Sequence, residues 1–135
     1  MDNNDPNAVF VSIHFDSRPG GAAGFQTLVL KTGKGEAVRA QTGALASAIH
    51  KTCVTRLGME DGGVKAAHFT VLGGLLIPAI LVEGGNLMSA ADAILIADPN
   101  HRDKLADAIA EGLETYRVAT GRKPKYPAPE DAKPK

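Results

Sequence analysis

Two side chains stand where this chain could do acid/base or metal chemistry. His14 directly follows the apolar, β-prone residues 8–13, and Glu83 directly follows residues 75–82, a run of eight consecutive apolar residues, and precedes Gly84-Gly85. A run of that length is a buried strand; a membrane span needs about 20 residues. A strand buried on both faces is typical of a parallel sheet covered by helices. Pro78 has no N–H for a ladder and belongs at the strand start. Both His14 and Glu83 then sit at carboxyl ends of strands, where open α/β sheets bind ligands. Glu83 is a candidate general base or acid, and a solvated strand-end glutamate is the alternative. If the two strands are near neighbours, the two groups converge on one site suited to a metal-bound water and a nearby base.

The remaining histidines read differently. His50 falls on the polar side or edge of a helix and is expected to be structural. His101, in the first turn of the last helix, is expected to be exposed. His68, at the start of a short strand, is a candidate for the lining of the site. No H-E-x-x-H or paired cysteines supply further zinc ligands, and the single Cys53 precludes an internal disulfide. There is no G-x-S-x-G elbow, so a serine hydrolase is not indicated. The Lys31-Thr32-Gly33-Lys34-Gly35 stretch lacks phosphate-loop spacing, and Gly84-Gly85 is no dinucleotide fingerprint.

The elements that must position these groups come from periodicity. Residues 8–13, 25–31, 68–72 and the run ending at Val82 are expected strands. Residues 16–24, 32–36 and 60–65 are expected loops and turns. A helix is expected over residues 42–57, with Leu45, Ile49, Cys53 and Leu57 on one face and Gly58 closing it. Ser89 to Asp92 resembles a capping box opening a short helix to residue 97. Asp98-Pro99 starts the last helix, expected to reach Arg117 with Leu105, Ile109, Leu113 and Tyr116 as its stripe. Residues 118–135 contain four prolines and a charge of +3, and are expected to form a disordered tail.

Composition sets outer limits. With 135 residues, 44% hydrophobic and 22% charged, the chain suits one globular domain. Trp is absent, so aliphatic side chains must fill the core. A formal net charge of zero gives no reason to expect a nucleic-acid partner. The first six residues are acidic and polar and do not resemble a signal peptide.

The motifs form an ordered series. Val11-Ser12-Ile13-His14 resembles the V-S-I-H-A-N/D segment of the zinc-dependent N-acetylmuramoyl-L-alanine amidases of the amidase-3 type. Gly24-Phe25 with the strand to Leu30 is similar to that family's G-x-E-x-(Y/W)-x-L segment. Leu45-Ala46 and Ile49 resemble its S-x-x-L-A-x-x-I helix, and Gly63-Val64-Lys65, Phe69 and Val71-Leu72 its R-G-V-K-x-A-x-F-x-V-L segment. Residues 78–85 resemble its P-A-V-L-V-E-x-G-F segment, and Asp92-Ala93 with the final helix its closing pattern. The resemblance runs from about residue 9 to residue 116.

It implies a peptidoglycan hydrolase that cuts the amide between N-acetylmuramic acid and L-alanine, acting outside the cytoplasmic membrane. His14 matches the family's last zinc ligand and Glu83 its catalytic glutamate. The departures carry equal weight. The family's D-x-G-H-G-G segment and a helical glutamate, both zinc ligands, lie upstream of V-S-I-H, and this chain has only thirteen residues before His14. Gly62 and Gly73 stand where the family usually has Arg, and Asn86 where it has Phe. The expected fold is therefore α/β, a mixed, mostly parallel central sheet flanked by helices, lacking the family's first strand and helix. Residues 1–117 would be a partial catalytic domain, with zinc binding weak or absent and a sheet edge or face left uncovered. The alternative is a non-catalytic remnant that binds peptidoglycan or a protein partner.

Overall fold

The apolar run does become the strand around which the chain is built. In the computed structural model, which describes residues 3–31 and 34–124, it forms β4 (Ala79–Asn86), whose first four residues are buried. Three further strands, β1 (Phe10–Asp16), β2 (Phe25–Leu30) and β3 (Asp61–Ala67), complete a sheet in the order β1-β4-β2-β3. β1 pairs with β4 and β2 with β3 in parallel, while β2 and β4 run antiparallel. The sheet is thus mixed and mostly parallel, as expected. Pro78 stands just before β4, and its carbonyl accepts a hydrogen bond from Phe10 N–H (2.9 Å).

Three helices accompany the sheet: α1 (Glu36–Leu57), α2 (Ala90–Ala97) and α3 (Pro99–Thr120). Side chains alternate across a strand, and β4 divides its own accordingly. Ile80 and Val82 enter the main core with Phe25, Leu45, Ile49, Leu105 and Ile109, under α1 and α3. Ala79 and Leu81 face the other way, into a smaller cluster with Leu28 and Leu72 that Phe10, Leu30 and Phe69 flank. Among the described residues both long helices lie on one face, and the second face is covered only by the chain around the 3-10 turn Thr70–Leu72. β1 has one strand neighbour, and its Ile13 is 55% exposed. The two long helices approach closely, because a Cβ on Gly112 would lie 2.6 Å from Ile49 Cα.

Several boundaries differ from the pattern-based expectation. α1 begins at Glu36, six residues before the expected Thr42, because the residues ahead of Thr42 are largely exposed and carry no apolar stripe. β3 occupies the expected loop at 60–65. Its sequence is Asp-Gly-Gly-Val-Lys-Ala-Ala, and pairing with β2 rather than local propensity makes it a strand. The expected strand at 68–72 is instead an extended approach to a 3-10 turn that delivers Leu72 to the second core. The caps follow the sequence more closely. Gly58 closes α1 at φ 63°, Ser89 accepts from Asp92 N–H, and Asp98 caps α3 ahead of Pro99.

The last helix runs past residue 117 to Thr120, and Gly121 ends it in the left-handed region (φ 67°). The first residues of the expected tail are therefore ordered. Arg122 is buried, donates to the carbonyls of Pro6 and Ala8 and to Gln41 Oε1 (2.8 Å), and lies 5.3 Å from the Tyr116 ring centre. One guanidinium thus ties the N-terminal segment to α1 and to the end of α3. The rest of the expected disordered tail, residues 125–135, lies outside the described residues. Arg122→Ala is expected to lower stability by about 2 kcal/mol, since it removes a buried guanidinium and the hydrogen bonds by which it joins three segments; chemical denaturation of the two proteins measures the difference.

Candidate functional site

Parallel pairing sets the two candidate groups side by side. The register runs from Phe10 opposite Ala79 to His14 opposite Glu83, and on the other flank of β4 Gln26 lies opposite Glu83. Residues directly opposite in a sheet share a face. His14, Glu83 and Gln26 therefore form one row across three strands, on the face away from α1 and α3. The expected convergence of His14 and Glu83 at one rim is what the backbone register produces.

Past this row the ladder is irregular. β1 advances from His14 to Asp16 while β4 advances from Glu83 to Asn86, so β4 carries an extra residue at Gly84-Gly85. Gly85 sits at φ 127°, a conformation that disfavours any side chain. Gly84 is required for a different reason. A Cβ there would meet Leu105 Cδ2 and Phe15 Cε1, each at 2.8 Å. The close approach that these glycines permit is thus to the protein's own core.

Glu83 is half-buried, and its Oε2 is shut off from solvent with no hydrogen-bond partner. Burial pushes its carboxyl above the ordinary carboxylate value, and the nearby Asp16 carboxylate pushes it further; His14 and Arg18 act in the opposite direction. His14 itself is exposed. Asp16, at the end of β1, is held below the usual range chiefly by Arg18, whose Nε and Nη2 donate to its two oxygens at 3.1 and 3.0 Å. A raised carboxylate next to a lowered one suits a proton-transfer site.

The rim is braced by residues that periodicity does not reveal. Asp92, at the start of α2, is buried and accepts from Gly24 N–H (2.8 Å) and Asn86 N–H (2.9 Å) through one carboxylate oxygen. Asn86 is 1% exposed; its side chain donates to Arg18 O (3.3 Å) and accepts from Met88 N–H (2.9 Å). Together they join the β1–β2 loop, the end of β4 and α2. Asp92 was legible as a helix-start residue and as part of the family's closing motif, and Asn86 only as a departure from a motif.

The other histidines lie elsewhere. His50 is structural, as expected, but it is buried rather than on a polar edge. Its Nδ1 lies 3.0 Å from Thr27 Oγ1 and its Nε2 2.8 Å from Asp61 Oδ1, so it joins α1 to β2 and β3 on the helix side of the sheet. His101 is likewise buried rather than exposed, because α3 turns its first turn inward. His68 is exposed just after β3. β3 runs with β2 and against β4, so His68 lies toward the rim opposite Glu83 and does not line this site. Burial pushes the Cys53 thiol up to about 12, which removes it as a nucleophile near neutral pH.

A catalytic zinc takes three protein ligands and a water. Among the described residues no group of three His, Cys, Asp or Glu side chains could hold a metal ion. At the rim His14 is the imidazole that suits such a role, and Asp16 is engaged by Arg18. The described residues thus fit one ligand and a neighbouring base, and not a full coordination set. No helix among them is long and apolar enough to cross a membrane.

Comparison with known proteins finds relatives over most of the chain. The family model Amidase_3, described as N-acetylmuramoyl-L-alanine amidase, matches residues 1–115. The uncharacterized protein YqiI of Bacillus subtilis (strain 168) is 34% identical over 80% of this chain and 50% of its own length. The sporulation-specific N-acetylmuramoyl-L-alanine amidase of the same organism is 33% identical over 78% of this chain and 38% of its own. Among solved structures, the N-acetylmuramoyl-L-alanine amidase from Clostridium difficile 630 superposes with a TM-score of 0.73 at 30% identity. The match covers 84% of this chain and 59% of that one. The chain spans about half or less of the length of these curated relatives.

The environment of Glu83 makes a prediction about stability. A carboxyl whose folded value is raised favours the fold at low pH, and that contribution is lost as pH rises from the unfolded value through the folded one. Glu83→Gln is therefore expected to melt at or above the parent temperature at pH 7, with the advantage vanishing below about pH 4. Thermal melts of both proteins across that range measure it, and a lower melting temperature at pH 7 would contradict the assignment.

Proposed function

Because the chain belongs to the N-acetylmuramoyl-L-alanine amidase family, we propose that it carries the catalytic carboxylate and one zinc ligand of a peptidoglycan amidase. Its substrate is the amide between N-acetylmuramic acid and L-alanine. The observation that carries this reading is the row in which Glu83, with one oxygen held out of water, faces His14 across adjacent parallel strands.

In this reading Glu83 takes a proton from the water that attacks the amide carbonyl carbon. A C–O bond forms as the C–N bond breaks, and Glu83 returns the proton to the leaving nitrogen. The products are a muramoyl carboxylate and a free L-alanyl amine. A carboxyl raised above its usual value is better matched to both transfers near neutral pH. Zinc, when bound, supplies a Lewis acid for the carbonyl and acidifies the attacking water. His14 is its ligand from this chain, and the other ligands must come from outside the described residues.

The names of relatives such as the probable cell wall amidases LytH of Staphylococcus epidermidis fit action outside the cytoplasmic membrane, which we extend to this chain. That the described residues supply only part of a ligand set also favours a second reading, retention on peptidoglycan without turnover.

The two readings separate experimentally. Joining the preceding segment of an amidase relative ahead of residue 1 is expected to yield a zinc-loaded protein that releases L-alanyl peptides from peptidoglycan. In that protein Glu83→Gln should lower kcat by about a thousandfold with zinc retained. His14→Ala should instead lower zinc content, read by elemental mass spectrometry. Zinc loading without turnover, or turnover indifferent to Glu83→Gln, would leave only the binding reading.

A further inference from the structure

Beside Glu83, on the open face of the sheet, lies a cleft of about 470 Å³ whose function the amidase reading leaves unassigned. Its walls come from the β1–β2 loop, with Arg18 and the residues up to Ala22, and from β2, β3 and Phe69. Its charged lining residues are Arg18 and Lys65, and none of the residues lining it is acidic. Leu28 and Phe69 give it an apolar floor.

The two cations are not equivalent. Arg18 already holds Asp16 through both carboxylate oxygens. Lys65 Nζ donates to Gln26 Oε1 at 3.1 Å, a neutral acceptor, so its charge has no counter-charge in that bond. Gln26 is itself fixed. It is 3% exposed, its Nε2 donates to Ala22 O (3.3 Å), and its chain lies where a Cβ on Gly62 would be 2.3 Å away. The missing side chain at Gly62 is what lets Gln26 lie across β3 and hold Lys65 over the cleft.

The spacing relates this cation to Glu83. Gln26 is the cross-strand partner of Glu83, and Lys65, on β3, stands opposite Leu28, two residues along β2 from Gln26. Two strand spacings across and two residues along separate the Cα atoms of Lys65 and Glu83 by roughly 12 Å. Two extended residues span at most ~7 Å, so a carboxylate on the second residue beyond a bond held at Glu83 comes within reach of a lysine side chain.

We propose that this cleft is a subsite for the peptide side of the substrate, in which Lys65 selects a free carboxylate on the second residue after the scissile amide. The inference rests on the amidase reading for what occupies Glu83. It places the peptide over β2 and β3 and the muramoyl group over β1. Gln26 is a positioning residue, and Lys65 sets the preference for an acid over its amide.

The test is a binding comparison with the 135-residue chain in the presence of a chelator, so that nothing is turned over. The two probes are the γ-amide of N-acetylmuramoyl-L-Ala-D-Glu, which keeps one carboxylate on the second residue, and the α,γ-diamide of the same compound, which keeps none. Titration calorimetry at low ionic strength is expected to show the acid binding about fivefold tighter or more. Lys65→Met should bring the ratio close to one, and Lys65→Arg should keep it. Lys104→Met, at an exposed position on α3, should also keep it and controls for net charge. Equal affinities in the parent, failure of both probes to bind, or an equal loss in Lys104→Met would each overturn the proposal. Acid-selective binding by a protein that never hydrolyses the amide, even when joined to the preceding segment of an amidase relative, would sink the amidase reading and keep the subsite. Hydrolysis with equal affinities for acid and amide would do the reverse.

Discussion

The backbone ladder between β1 and β4 is the constraint on which the candidate site depends. Five consecutive pairs, from Phe10 with Ala79 to His14 with Glu83, hold two strand ends in one register. A slip of one residue would turn either side chain to the opposite face. The register is protected because β4 is buried on both sides, with Ile80 and Val82 under the helices and Ala79 and Leu81 in the second cluster. Apolar burial that has no chemical role thereby sets the geometry of two polar groups. The bulge at Gly84-Gly85 follows at once, so the regular ladder stops just past the residues it positions.

The electrostatics of the rim follow from the same placement. Glu83 is carried to the end of an interior strand, where water is partly excluded, and Asp16 is set beside it by the neighbouring strand. Two neighbouring carboxylates disfavour each other's ionised form, and a cation bound to one of them sets which ionises more readily. Arg18 does so by binding Asp16. Asp92 and Asn86 then hold the loop that carries Arg18 against the end of β4, without offering groups to the open face. The second layer of polar residues therefore decides which of the two acids keeps its proton longer.

Much of this was legible where a residue's role is local. The buried run ending at Glu83, the turn chemistry of Gly58, the Asp98-Pro99 helix start and the strand-end position of His14 all depend on near neighbours in sequence. What was not legible depends on partners far away. β3 is a strand because β2 lies beside it, although its Gly-Gly pair argues for a loop. His50 is buried because Thr27 and Asp61 satisfy its ring nitrogens, and neither can be found by helical spacing. Arg122 sits among residues whose prolines and charges suggest a tail, yet its acceptors lie more than a hundred positions upstream at Pro6 and Ala8. Periodicity detects faces, and it is silent on pairings of this kind.

One further consequence lies in the outer side of β1. Its backbone amides and carbonyls beyond the ladder to β4 have no strand beside them among the described residues, and Ile13 adjoins them with more than half its surface in solvent. Such a border is indiscriminate, because any extended polypeptide laid along it can complete the hydrogen bonding. An extended segment supplied from elsewhere would find at that border a row of donors and acceptors spaced to receive it.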